Sequence, residues 1–209
     1  MALPDRRRRQ PVLFFDIGNV LIGFNAAQAA RKIAWELRLN PFRIARYLWN
    51  SNIVEEIERG AITPRQLYRK FRTEFGYEGD YADFTELFCG HFTIKRASAA
   101  LFRILARRYP TYLLSNINDL HYKHIRRHYS FLRHARGAVL SYRLGLRKPE
   151  PAIYRAALKM AGARASRAIF IDDIQENVES ALKLGIKAIR FSDAQSLRRE
   201  LSSLGLIVK

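Results

Sequence analysis

Four groups of residues in this chain could do phosphate chemistry together. Asp16 follows the apolar run Val12-Leu13-Phe14-Phe15, and Asp172-Asp173 follow Ala168-Ile169-Phe170-Ile171. Between them in sequence lie Ser115-Asn116, after Tyr112-Leu113-Leu114, and Lys148, shortly before Pro149-Glu150-Pro151. Carboxylates brought to one point repel unless a hard cation neutralises them, and oxygen ligands beside a phosphate suit Mg²⁺. An aspartate can then attack phosphorus and form an aspartyl phosphate. A serine hydroxyl, backbone N–H groups and a lysine would hold the charged phosphoryl oxygens. Each part alone has an ordinary reading. An acid after a strand is often an N-cap or turn residue, and Lys-Pro and Asp-Asp pairs are common. Order and spacing give the set its weight.

Elements that deliver such groups to one place are legible. Short apolar strands at Val12–Phe15, "YLL", "GAVLS", "AIFID" and "KAIRF" alternate with helical patterns over 96–108, 119–128, 150–161 and 175–184. That alternation predicts an α/β fold, a doubly wound parallel sheet in which ligands bind at the carboxyl ends of the strands. Phe24 to Phe92 breaks the alternation with helix-spaced apolar residues and predicts a helical cap inserted after the first strand. Within it, Thr63 is read as an N-cap and Pro64 as the first helical residue. The domain reading is a basic arm over 1–10, an α/β core over 11–23 and 93–209, and the cap over 24–92.

Taken in order, "FFDIGNVL", "YLLSNIND", "LGLRKPEPAIY" and "IFIDDIQENVESA" resemble the four motifs of the haloacid dehalogenase-like (HAD) hydrolase superfamily. The similarity covers nearly the whole chain after the basic arm. The first motif is similar to the "FDLGNV" type of small sugar-phosphate phosphatases. The resemblance implies Asp16 as nucleophile, Ser115 and Lys148 as phosphate binders, and Asp172 and Asp173 as magnesium-site acids, with Asp173 the direct ligand. Asp16 and the Gly18 carbonyl would complete the metal site. Asn116, Asn19 and His121 would flank the substrate, and Asn177 would steady the last motif. The implied activity is magnesium-dependent hydrolysis of a small phosphomonoester, a sugar phosphate in that branch.

One departure stands out. Most phosphatases of the superfamily carry a second aspartate two residues after the first, as general acid and base. Gly18 occupies that position, although glycine there is usual in the branch this sequence resembles. Gly23 and Asn25 stand where relatives often carry further acids. Water or a cap residue would then supply the proton, with Glu55, Glu56 and Glu58 as candidates beside their ordinary role on a solvated helix face.

Two rival functions remain. A dehalogenase uses the same kind of nucleophile on carbon but needs no acid pair in its last motif. A catalytically weakened core could instead bind an anionic partner through its arginines. The formal charge is +18, and 37 residues are lysine or arginine. Such charge attracts polyanions non-specifically. No interleaving of aromatic and basic residues suggests a nucleic-acid site. His121, His124 and His128 share a helix face, but Lys123, Arg126 and Arg127 beside them oppose a metal. Trp35, Tyr47, Trp49 and Phe92 are expected in the cap core, and Cys89, the single cysteine, in an apolar setting. No apolar run reaches the length of a membrane span, which predicts a cytoplasmic protein. Oligomeric state is not readable.

Overall fold

The computed structural model describes residues 10–50 and 52–208. The arginine cluster Arg6–Arg9 of the expected arm lies outside the described residues. The strands are β1 (Val12–Phe15), β2 (Ile22–Gly23), β3 (Thr93–Ile94), β4 (Thr111–Ser115), β5 (Gly137–Leu140), β6 (Ala168–Asp172) and β7 (Lys187–Arg190). The helices are α1 (Ala26–Glu36), α2 (Pro41–Asn50), α3 (Ile53–Glu58), α4 (Pro64–Phe75), α5 (Tyr81–Cys89), α6 (Arg96–Arg108), α7 (Asp119–His128), α8 (Ser141–Leu144), α9 (Pro151–Ala161), α10 (Gln175–Lys183) and α11 (Ala194–Ser203).

Five strands form one parallel sheet in the order β5-β4-β1-β6-β7. All four residues of β1 are buried, as a strand covered on both faces must be. Leu13 and Phe15 point into one apolar layer with Leu101, Phe102 and Leu105 of α6. Val12 and Phe14 point into the other, with Ile153 and Tyr154 of α9. Successive side chains of a strand face opposite sides, so one short run feeds both layers. From β1 the chain builds outward to β4 and β5 on one side and to β6 and β7 on the other. The strand order therefore reverses beside β1, where open α/β sheets place their ligands.

The five helices α1 to α5 pack around an apolar cluster of their own that includes Ile33, Ile44, Phe71, Phe84 and Phe88. Thr63 caps α4 in a reciprocal capping box with Gln66, and Pro64 sits in the first turn, as the sequence predicts. Cys89 is fully buried, and burial pushes its thiol up to about 12. Three features are not given by the apolar spacing. "PFRIARYLWNSNIVEEIERG" forms two helices because Asn52 adopts φ 54°, a left-handed conformation that ends helical propagation. The chain leaves and re-enters the core through a two-residue antiparallel ribbon, Ile22 opposite Ile94 and Gly23 opposite Thr93. Trp35 does not join the cap core and is 83% exposed. Tyr47 does pack there, edge-on to Phe75 at 5.0 Å.

Candidate active site

The carboxyl ends of β1, β4 and β6 and the loop after α8 meet at one point. Asp16 directly follows β1, and its N–H continues the ladder by donating to the Ile171 carbonyl at 2.9 Å. Ser115 ends β4 and hydrogen-bonds the Asp16 carboxylate. Asp172 ends β6. Lys148 reaches in from its loop with Nζ 2.9 Å from Asp16 Oδ1 and 2.6 Å from Asp172 Oδ2. Asp16, Asp172 and Asp173 each offer an oxygen within 4.8 Å of the others. Asp16, Ser115, Lys148 and Asp172 are all buried.

The loops are fixed by side chains aimed at backbone. Asn116 donates from Nδ2 to the Lys148 carbonyl and accepts the Lys148 N–H on Oδ1, both at 2.8 Å. Its amide thus sets where the Lys148 backbone stands. Removing it leaves a donor and an acceptor of that loop unpaired, which typically costs about 1–3 kcal/mol for a buried group. Asn116→Ala is therefore expected to lower the melting temperature and to raise KM for the phosphorylated substrate. Thermal melts and steady-state kinetics check both. Ser141 ties the end of β5 to the neighbouring loop, accepting from the Ile117 N–H at 2.9 Å and donating to its carbonyl at 3.1 Å. Asp172 Oδ1 accepts from the Ile174 N–H at 2.8 Å and from Asn177 at 3.0 Å. Asn177 thus steadies an acid of the cluster, as the resemblance implies.

Asn19 adopts φ 51° at the turn after β1, accepts the Phe24 N–H at 3.0 Å, and bonds the Asp173 side chain. It braces the loop and one acid at once. Gly18 has no positive φ. A Cβ built on it would meet Asp16 Oδ2 at 3.8 Å, an ordinary contact. Its carbonyl accepts the Val20 N–H at 2.6 Å.

Three carboxylates face a single ammonium. Burial is the largest influence on Asp16 and pushes it up to about 6, against the opposing effect of Lys148 and with that of Asp172. Burial, then Asp172, also raises Asp173. Burial alone would lower Lys148, but Asp16 and Asp172 hold its pKa above the usual lysine value. A divalent cation would relieve the remaining repulsion, and the donors are the hard oxygens that magnesium prefers. Asp16 Oδ1 is buried and has no aligned hydrogen bond, only the Lys148 ammonium beside it, so lone-pair capacity remains for such an ion. The residues present therefore fit magnesium.

The cap closes over this point. Among the cap glutamates, Glu58 is the one that lines the cavity between cap and core. Arg147, next to Lys148, holds it at 2.8 and 2.9 Å. Burial raises the Glu58 pKa in spite of that partner. Glu55 instead pairs with Arg59, which also bonds Glu150 and, at 2.9 Å, the Gly145 carbonyl. His121 lines the same cavity. One ring nitrogen, Nδ1, lies 3.1 Å from Asn118 Nδ2, and the ring also bonds the Phe88 backbone. Burial pulls His121 down to about 3, so the ring is neutral. His124 and His128 turn away and stack on each other at 4.1 Å. Sequence reasoning missed the hold of Asn116 on Lys148, because a side chain that bonds a loop 32 residues away leaves no local pattern.

Residues 11–185 match the model of a family described as haloacid dehalogenase-like hydrolase. The chain belongs to the haloacid dehalogenase-like hydrolases. This HAD-like hydrolase is 26% identical over 193 residues to the sesquiterpene phosphatase astK of Aspergillus oryzae, spanning 91% of this chain and 94% of that protein. A HAD-family enzyme from Bacteroides thetaiotaomicron, solved in complex with magnesium and inorganic phosphate, superposes with a TM-score of 0.79 at 25% identity. The match covers 88% of this chain and 95% of that one. A 2-haloacid dehalogenase from Pseudomonas syringae shares the fold, with a TM-score of 0.62 at 21% identity, over 93% of this chain and 99% of that one.

Proposed function

We propose that this HAD-like hydrolase is a magnesium-dependent phosphomonoester phosphatase that works through an aspartyl phosphate on Asp16. The observation that carries the reading is the convergence of Asp16, Asp172, Asp173 and Lys148 on one buried point at the strand ends. The phosphatase relative and the phosphate complex described above support it. The acid pair at 172 and 173 weighs against a dehalogenase, which has no phosphoryl charge to neutralise.

Asp16 attacks phosphorus in line as the P–O ester bond breaks, and the departing oxygen takes a proton from water. A water then attacks the phosphoryl group, releasing inorganic phosphate and restoring the carboxylate. Ser115 and Lys148 hold phosphoryl oxygens, and Lys148 needs no uptake of charge because it is already protonated. Asp16, Asp173 and the Gly18 carbonyl would hold the magnesium ion, with Asp172 supporting the cluster. When bound, the ion offsets the charge of three carboxylates and of the phosphoryl oxygens, which otherwise repel. Asn116 and Asn19 act mainly by positioning Lys148 and Asp173. His121 contributes a neutral surface beside the leaving group.

The metal is tested directly. Hydrolysis of p-nitrophenyl phosphate is expected to vanish in excess chelator and return with Mg²⁺. Asp173→Asn should raise the Mg²⁺ concentration for half-maximal rate by about 100-fold or more, on the scale seen when metal sites lose a carboxylate or its support. Full activity in chelator refutes the metal role. No helix among the described residues is long and apolar enough to cross a membrane. The surface arginines are read as attracting polyanions weakly and non-specifically. The sugar-phosphate expectation rests on the first motif, whereas the cap contacts the organic part of the substrate.

A further inference from the structure

The cavity between cap and core has a volume of about 300 Å³ and combines a polar end with apolar walls. Gly18, Ser115 and Asn116, beside the reacting carboxylate, form part of its lining. Phe24, Ile33, Leu48, Val54, Phe88 and Phe92 supply much of the rest. Phe24 packs at a tilt against Phe92 at 5.5 Å and His91 at 5.4 Å, so these rings form one continuous surface.

Most polar side chains of this cavity already have partners. Asn116 is held by the Lys148 backbone. Asn118 is bound to His121, through its backbone N–H at 2.9 Å and its ring. Glu58 is paired with Arg147. Burial leaves His91 and His121 uncharged at neutral pH, with pKa values pulled down to about 4 and about 3. Only His91 Nδ1 is buried here without a partner among the described residues. A sugar would bring several hydroxyls into this space and find few groups to bond them, which penalises each one that loses water. A hydrocarbon loses nothing there and gains from leaving water.

We propose that the cavity holds the apolar organic group of the substrate, so that the enzyme prefers monophosphates of lipophilic alcohols to sugar phosphates. The inference rests on the phosphatase reading, since the phosphate end fixes which part of the substrate enters the cavity. Its distinct content is the sign and slope of a chain-length dependence.

The experiment measures kcat/KM with Mg²⁺ for n-alkyl monophosphates from ethyl to decyl. Glycerol 3-phosphate, glucose 1-phosphate and p-nitrophenyl phosphate are run beside them. The value is expected to rise about fourfold per methylene until the cavity is filled. The sugar phosphate should stay at or below the ethyl phosphate level. Val54→Asp, which places a charge in the wall at a half-buried position, should flatten the slope in a variant shown to be folded. A flat or falling series, glucose 1-phosphate outrunning octyl phosphate, or an unchanged slope in folded Val54→Asp each overturns the inference. If p-nitrophenyl phosphate is not hydrolysed at all, the phosphatase reading fails separately. Calorimetry with methyl- and octylphosphonate then decides the cavity. Tighter binding of the longer ligand, with a negative heat-capacity change, supports it. Equal binding overturns it.

Discussion

Asp16→Asn should lower kcat for p-nitrophenyl phosphate by about four orders of magnitude or more while the protein stays folded. Loss of a covalent nucleophile typically costs this much, and the residue comes from the groups that still bind and polarise the substrate. Asparagine matches aspartate in shape, so the tip of β1 and its hydrogen bond to Ile171 persist. Lys148 keeps its second partner, Asp172, at 2.6 Å. The sign of the stability change separates this reading from simple damage. Burial raises Asp16 to about 6, so the ionised form is less at home in the folded chain than in water. A raised carboxylate pKa means stability that is present at low pH and lost as the pH passes through the folded value. At neutral pH the wild-type protein has therefore already lost it, and an uncharged side chain avoids the loss. The melting temperature of Asp16→Asn at pH 7.5, without added metal, should equal or exceed that of the wild type. Rate assays paired with melts check both halves. A folded variant that retains a tenth of the activity refutes the nucleophile assignment.

Gly18→Asp should accelerate hydrolysis of alkyl phosphates by up to about a hundredfold. General acid assistance to a departing oxygen is commonly worth a factor of ~10²–10⁴. In the wild-type chain no carboxylate follows Asp16 at the second position, so the proton for an alkoxide must come from elsewhere. The obvious objection is steric, and the structure removes it. Gly18 adopts no positive φ, and its missing Cβ would lie at ordinary contact distance from Asp16 Oδ2. A carboxylate there joins a cluster that is already negative, which favours its protonated, donating form. The gain should be confined to poor leaving groups. Nitrophenol departs readily as an anion and needs no donor, so p-nitrophenyl phosphate should change little. Comparison of decyl and p-nitrophenyl phosphate in the two proteins, each shown to bind Mg²⁺, makes the test. If alkyl phosphates gain nothing in the folded variant, another group already donates. Glu58 is the next to mutate, because it lines the cavity and burial raises its pKa.

The two variants probe parts of the site that became visible by different routes. Asp16, Ser115, Lys148 and Asp172-Asp173 could be picked out in the sequence because each follows, or closely precedes, an element with a strong local pattern. A buried parallel strand must be apolar throughout, so the polar residue at its end is conspicuous. The sheet order then brings β1, β4 and β6 side by side, and the residues at their ends meet. The α/β alternation and the helical block between Phe24 and Phe92 were legible for the same reason. Periodicity is a local property of the chain.

What only the tertiary structure decided depends on contacts between distant segments. The ribbon of β2 and β3 has two residues in each strand, too few for a period. The break at Asn52 is a backbone conformation inside a run whose apolar spacing continues unchanged. Trp35 follows the helical pattern but faces outward, because the spacing of one helix does not say where the next one packs. Nothing local distinguished Glu58 from Glu55, yet Arg147 holds Glu58 at 2.8 Å and reaches Glu55 only at 3.8 Å, while Arg59 takes Glu55 at 2.8 Å, a difference set by how α3 meets the loops after α8. The same holds for the character of the cavity. Phe24, Leu48, Phe88 and His121 come from four separate stretches, and their side chains enclose one space only after the cap closes on the core. The sequence by itself picked out the polar residues that converge at the strand ends, since strand ends are marked by local composition. The apolar wall of the cavity was decided by packing, since it is assembled from residues that no short window contains.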